Sequence, residues 1–233
     1  DDAVKWKLIA RNVCDAVNPP ARAHTEMQTW SAEEASAVLA AASGDELEAL
    51  WRLAITSGMR RGELLGLKWA DVDFDGRALS VRRSLSRGDT SRLIEREPKT
   101  KAGRRRIALS DETVESLRRH RVRQVEYRLS VGDAYDDRDL VFTTPLGAHL
   151  HPNTLTHAFH KLTGRAGVKR IRFHDLRHTS ATLMMEAGIN PKIVQERLGH
   201  HDIAVTLGLY SHVTPHMQGA AADALETALK RVS

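Results

Sequence analysis

Three consecutive runs decide the fold: RFHDLRHTSATLMMEAG from Arg172 to Gly188, INPKIVQER from Ile189 to Arg197, and LGHHDIAVTLGLYSHV from Leu198 to Val213. Gly188 suits the left-handed position past a helix end. Asn190 as cap and Pro191 at the first helical position open the next helix, and Gly199 closes it. A short helix from Asp202 then leads towards Tyr210. His174 and Arg177 stand three apart, so both side chains leave one helix face and can meet one ligand. A guanidinium offers a planar fork matched to phosphate oxygens, and a neutral imidazole can donate at one nitrogen and take a proton at the other. His200 adds a second donor and Tyr210 a candidate nucleophilic oxygen, so the stretch has the groups for phosphate chemistry on a helical frame.

Upstream, Ser31 and Glu34 form a capping-box pair ahead of an alanine-rich helix to about Ala42. Asp45 opens a second helix, with Leu47, Leu50, Trp51, Ala54 and Ile55 at inward spacings, ending near Gly58. MRRGELLGLKWADVD follows, with Leu64, Leu65 and Leu67 as core residues and Arg60 and Arg61 at its entrance. The period then changes. Asp75-Gly76 is a turn signal, and Ala78 to Leu85, Leu93 to Glu97 and Arg104 to Leu109 read as short antiparallel strands, the last two joined through PKTKAG in a hairpin bearing Lys99 and Lys101. Ser110 caps a long arginine-rich helix to about Leu129, whose apolar stripe is Val114, Leu117, Val125 and Leu129. Leu140 to Thr144 reads as a short extended piece. Asn153 caps a helix with Leu155, Phe159, Leu162 and Ala166 inward, leaving His157 and His160 at the surface.

At the two ends, Asp1 to Val17 has the spacing of an amphipathic helix, Asn18-Pro19-Pro20 stops it, and Ala21 to Thr29 reads as a linker. Thr214-Pro215 starts a final helix with Met217, Ala221, Leu225 and Leu229 on one face. Lysine plus arginine number 35 against 30 acidic residues, a net charge of +5 with a pI near 9.5, which favours a polyanionic partner. The single cysteine, Cys14, excludes an intrachain disulfide and fits a reducing, cytoplasmic setting. No apolar run approaches the ~18 residues of a membrane helix.

Several chemistries lack their motifs. HExxH, CxxC and zinc-spaced cysteine-histidine clusters do not occur, nor do GxxxxGK[ST] or GxSxG. Two helices around Gly188 could form a helix-turn-helix that reads DNA without chemistry. That module leaves Arg60, the lysine-bearing loop and Tyr210 unexplained. A DNA phosphodiester as ligand accounts for them together, because attack by a tyrosine oxygen builds a five-coordinate transition state more negative than the ground state. Clustered cations also assist ionisation of a tyrosine whose ordinary pKa is about 10.

In these motifs the chain resembles the catalytic domain of the tyrosine recombinases, specifically the phage-type integrases, from Thr29 to the C-terminus. TSGMRRGELLGLKWADVD is similar to the family's first arginine motif and implies Arg60 as catalytic, with Glu63 as the acid that supports it. EPKTKAGRRRIAL resembles the lysine hairpin and implies Lys99, ahead of Lys101. HDLRHTSAT implies His174 and Arg177, and LGHHDIAVTLGLYSHV implies His200 and the nucleophile Tyr210. His178, His201 and His212 match supporting positions. Gly208 departs from the family, which commonly has a non-glycine residue there; a helical glycine costs about 0.5–1 kcal/mol relative to alanine.

The resemblance implies an α+β, mainly α-helical fold with a small three-stranded antiparallel sheet, the fold of DNA breaking-rejoining enzymes. It divides the chain into residues 1–27, the end of an N-terminal core-binding domain plus linker, and 28–233, the catalytic domain. It further implies recombination or integration through a 3′-phosphotyrosine bond, without metal, ATP or cofactor. The implied partners are double-stranded DNA attachment sites, a homotetramer assembled on them, and accessory DNA-bending or directionality proteins, with no membrane. A relaxing topoisomerase would use the same groups as a monomer.

Overall fold

The computed structural model of the chain describes residues 2–17, 27–88, 93–97, 103–208 and 230, without the side chains of 205–207. Lys99, Lys101, Tyr210, His212 and the expected final helix lie outside the described residues. The continuous helix expected over Asp1 to Val17 is not formed. Helix α1 is only Asp2–Lys5, Lys7 has a φ of 57°, and a single 3-10 turn follows at Val13–Ala16. Leu8, Val13 and Val17 of the expected stripe are exposed. A short helix needs its apolar face packed to persist, and among the described residues this one is not covered.

Helix α2 (Ala32–Ala41) has both arms of its capping box: Glu34 N–H donates to Ser31 Oγ at 3.2 Å and Ser31 N–H to Glu34 Oε2 at 2.9 Å. Helix α3 (Glu48–Ser57) begins three residues after Asp45, which instead makes the preceding turn by accepting from Leu47 N–H at 3.0 Å. It is buried at nearly every position and packs on both α5 (Asp111–Val131) and α7 (Asp175–Glu186). Helix α4 (Arg61–Leu65) follows, and brings Leu64 and Leu65 into the core.

The sheet region departs from the sequence expectation in its pairing. Strands β1 (Val72–Asp73), β2 (Ala78–Val81) and β5 (Arg105–Ala108) make a three-stranded antiparallel sheet in the order β1-β2-β5. Strands β3 (Ser84–Arg87) and β4 (Leu93–Arg96) make a separate antiparallel pair. The expected strand Ala78 to Leu85 is therefore split between two sheets, and β4 and β5 are not hairpin partners. Arg82 and Arg83 at the break both pair with the buried Asp71 carboxylate, which turns the chain from one sheet to the other. Lys68 Nζ lies 3.3 Å from Glu95 of β4.

In α5, Val114 and Leu117 are buried, but Val125 and Leu129 of the expected stripe are exposed, because this end of the helix runs beyond the core. Helix α6 (Pro152–Ala166) is capped by His151, whose Nδ1 accepts from Asn153 N–H at 3.2 Å; Pro152 takes the first helical position, so Asn153 is inside the helix and not its cap. His157 is exposed, whereas His160 is half-buried with its ring 5.9 Å from Phe159. Helices α7, α8 (Pro191–Leu198) and α9 (Ile203–Gly208) follow the expected order, with Asn190 capping α8 and Gly199 closing it at φ 70°. Gly208 is the last described residue of α9, and among the described residues an added Cβ there would meet nothing within 4 Å.

The core centres on four rings. Phe159 lies 5.6 Å from Trp30, 5.9 Å from Trp51 and 5.4 Å from Phe173, the residue before His174. These rings join α3, α6 and the entrance of α7, so core packing sets where α7 begins. Phe159→Ala should destabilise the fold by about 3–5 kcal/mol, read as a lower urea midpoint at unchanged slope. A loss under about 1 kcal/mol would mean that the ring cluster is not the keystone of the core.

Candidate active site

The site is assembled from the ends of α3, α4, α7 and α8. Helix α3 ends at Gly58, with a φ of 63°, in space so close that a Cβ would fall 2.3 Å from Leu198 Cδ2. That contact brings the C-terminal turn of α8 against the entrance of α4. Arg60 and Arg61 then diverge. Arg60 caps α4, its Nη1 donating to Glu63 Oε1 at 2.8 Å and its Nη2 to Gly199 O at 3.4 Å. Arg61 turns out to α6, donating to Thr156 Oγ1 at 2.9 Å.

Arg177 is 3 % exposed and each end of its guanidinium is engaged. Nη1 donates to Gly58 O at 2.8 Å, Nη2 to Leu198 O at 2.6 Å, and Nε to His200 Nε2 at 3.3 Å. Burial, then the Arg60 charge, pull its pKa down to about 9, which leaves it protonated at neutral pH. Because His200 accepts at Nε2, its neutral ring carries the proton on Nδ1. Burial and the neighbouring Arg177 and Arg60 push the His200 pKa down to about 4.

His174 stands at the exposed rim, at the cap position of α7, its ring 5.4 Å from and edge-on to that of His178. Partial burial, then Arg177, lower the His174 pKa; for His178 the causes are burial, then His174. Among the described residues His178 Nδ1 is buried without a hydrogen-bond partner, and no group of three or more His, Cys, Asp or Glu is placed to hold a metal ion.

Glu63, 3 % exposed, is the anionic centre. Burial alone would raise its pKa, but the hydrogen bonds and charge of Arg105, and then Arg60, outweigh this and hold it below the usual carboxylate range. Arg105 was missed in the sequence, although alternation along β5 points it inward with the buried Ile107 while Arg104 and Arg106 face out. Outside this cluster a groove of about 620 Å³ runs past Arg60 and His174 along Arg61, Arg87, Arg172 and His151. Among the described residues that line it, none is acidic. Thus four of the six sequence-predicted residues, Arg60, His174, Arg177 and His200, come together; Lys99 and Tyr210 lie outside the described residues.

Comparison with known proteins identifies the family of the chain. The sequence pattern of the phage integrase family matches residues 29–217. The chain belongs to that family. Within this phage integrase family it is 36 % identical over 240 residues to a tyrosine recombinase XerC-like protein of Caldanaerobacter subterraneus, covering 96 % of this chain and 61 % of that protein. It is 28 % identical over 234 residues to the ICEBs1 integrase of Bacillus subtilis, covering 98 % and 62 %. The chain therefore spans about three fifths of the length of these relatives. Its fold matches the crystal structure of XerA recombinase with a TM-score of 0.64 at 26 % identity, over 87 % of this chain and 65 % of that one. The Tn1549 transposon integrase, solved in complex with a circular intermediate DNA, matches with a TM-score of 0.72 at 21 % identity, over 95 % and 74 %. The mainly helical fold with its small antiparallel sheet is thus one the chain has in common with these recombinase and integrase structures.

The lowered pKa of His200 makes stability depend on pH. In the unfolded chain an ordinary histidine binds a proton near pH 6.5, whereas in the fold it does so only near pH 4, so the unfolded state holds more protons between them and stability falls as pH drops through that window. His200→Gln should flatten the dependence of the urea midpoint between about pH 6.5 and pH 4. An unchanged slope would show that His200 is not buried in its neutral form.

Proposed function

We propose that the chain is the catalytic part of a site-specific DNA recombinase that breaks and rejoins strands by transesterification. The observation that carries this reading is the convergence of Arg60, Arg177 and His200 from three separated segments, with His174 at the rim and a groove leading away whose charged lining residues, among those described, are all basic. A single phosphodiester fits such a site, since its non-bridging oxygens can meet the Arg60 and Arg177 forks and the His200 Nδ1 proton.

In the proposed reaction the Tyr210 oxygen attacks the phosphorus, its proton passing to His174. The bond to the 5′-oxygen breaks, Lys99 protonates that leaving oxygen, and a 3′-phosphotyrosine bond forms with release of a 5′-hydroxyl. One phosphoester replaces another, so the exchange needs no ATP, and no cofactor enters the scheme. A 5′-hydroxyl from a second duplex reverses the sequence and joins the new strands. The groove past Arg61, Arg87 and Arg172 would carry neighbouring phosphates, a contact that fixes position and not sequence.

A complete recombinase would add to residues 28–233 an N-terminal core-binding domain, of which 1–27 would be the end and linker. It would assemble as a homotetramer on two double-stranded attachment sites in the cytoplasm, with accessory DNA-bending or directionality proteins. Arg177 argues against a pure helix-turn-helix reader, because a base-reading side chain must project into a groove and this one is 3 % exposed, with three of its five N–H groups bonded to the protein and two left for a phosphate brought to it.

Tyr210→Phe should bind duplex DNA as the unaltered chain does and form no covalent complex on a nicked substrate. Covalent product from this variant would remove Tyr210 from the nucleophile's role, while supercoil relaxation by the unaltered chain without strand exchange would favour the topoisomerase reading.

A further inference from the structure

Arg105 is a third guanidinium in the cluster, with a side chain only 6 % exposed. Its Nη1 donates to Glu63 Oε1 at 3.2 Å and Nη2 to Glu63 Oε2 at 2.9 Å, a two-point grip on the carboxylate. Its Nε donates to Arg197 O at 2.7 Å, and Nη1 also reaches Gly103 O at 3.3 Å. The other side of the same carboxylate is taken by Arg60, through its backbone N–H to Oε2 at 2.9 Å and Nη1 to Oε1 at 2.8 Å. Each Glu63 oxygen thus accepts one bond from each arginine. Arg105 sits behind Glu63 and does not line the basic groove.

We propose that Arg105 is a positioning residue for strand cleavage: it locks the Glu63 carboxylate that aims Arg60, and ties Gly103, at the end of the segment bearing Lys99, to the same anchor. This rests on the reading of Arg60 as a ligand of the scissile phosphate. Without the Arg105 fork both Glu63 oxygens lose a donor, and the carboxylate is free to rotate and carry Arg60 with it. Lysine at this position keeps the charge but not the planar two-point grip, so it replaces Arg105 poorly. Small displacements of a phosphate-binding group lower the rate of the chemical step far more than the affinity for DNA, because a duplex is held by many other contacts.

The test is single-turnover formation of the covalent complex on a nicked duplex at saturating protein, using the full chain with Arg105→Gln, Arg105→Lys, Arg60→Ala and the two double variants, alongside duplex affinity. Each Arg105 variant should lower the cleavage rate by about 10- to 100-fold while Kd moves less than about threefold. In the Arg60→Ala background the same changes should cost less than about twofold more, because their effect runs through Arg60. The lysine variant retains the buried charge and gives the answer if the glutamine variant does not fold. A wild-type cleavage rate in either folded variant, or an equal loss with and without Arg60, would overturn the proposal. If the unaltered chain forms no covalent complex, the transesterification reading fails and the inference falls with it.

Discussion

The site depends on holding like charges together. Arg60, Arg105 and Arg177 are drawn into one cluster, and two unit charges 4 Å apart repel by about 4 kcal/mol even at an effective dielectric constant near 20. Two anionic elements offset this. Glu63 binds two of the three arginines, and the C-terminal turn of α8 presents consecutive carbonyls to all three: Arg197 O to Arg105, Leu198 O to Arg177, Gly199 O to Arg60. Those carbonyls have no partner within the helix and carry the negative end of its dipole. The close approach at Gly58 puts that turn where the arginines can reach it, so a backbone constraint and an electrostatic one coincide.

The same arrangement explains how a preorganised cation site coexists with a stable fold. Arg177 and Arg105 are buried and tied to fixed partners, so they contribute a standing positive field rather than mobile side chains. Arg60 differs: its side chain is 41 % exposed, and its bond to Gly199 O is long at 3.4 Å. It can exchange that carbonyl for a phosphate oxygen while Glu63 keeps hold of its other end. The cost of reorganisation at the moment of reaction is small when donors are already aimed, which is the main source of electrostatic catalysis. His200, kept neutral by burial and by the same cations, offers a donor without adding a further charge.

Local signals in the sequence were read well where the chemistry is local. Ser31 with Glu34, Asn190 with Pro191, and Gly199 each set a helix boundary through neighbours within a few residues. The HDLRH and LGHH runs singled out His174, Arg177 and His200, which lie near one another in the fold, while Arg60 and Arg61, adjacent in the chain, point in opposite directions. The sheet was misread because its pairing is decided at a distance. Leu79, Val81 and Leu85 keep one period-two side that is interrupted at Arg83, and the buried Asp71 taking Arg82 and Arg83 marks the break. Arg105 was overlooked for a related reason: within Arg104-Arg105-Arg106 its role depends on Glu63, 42 residues earlier in the chain. The N-terminal segment has helical periodicity but is not a continuous helix, because periodicity alone does not supply a surface to pack against.

The central claim is that Arg60 and Arg177 act together on one phosphate. It is tested most directly by the single-turnover rate of covalent-complex formation for Arg177→Ala beside Arg60→Ala on a nicked duplex held at saturation. The account predicts losses on the order of 10²–10³ for each, with DNA affinity little changed, since each removes a donor to the developing charge. Cleavage by Arg177→Ala at the rate of the unaltered chain would contradict it.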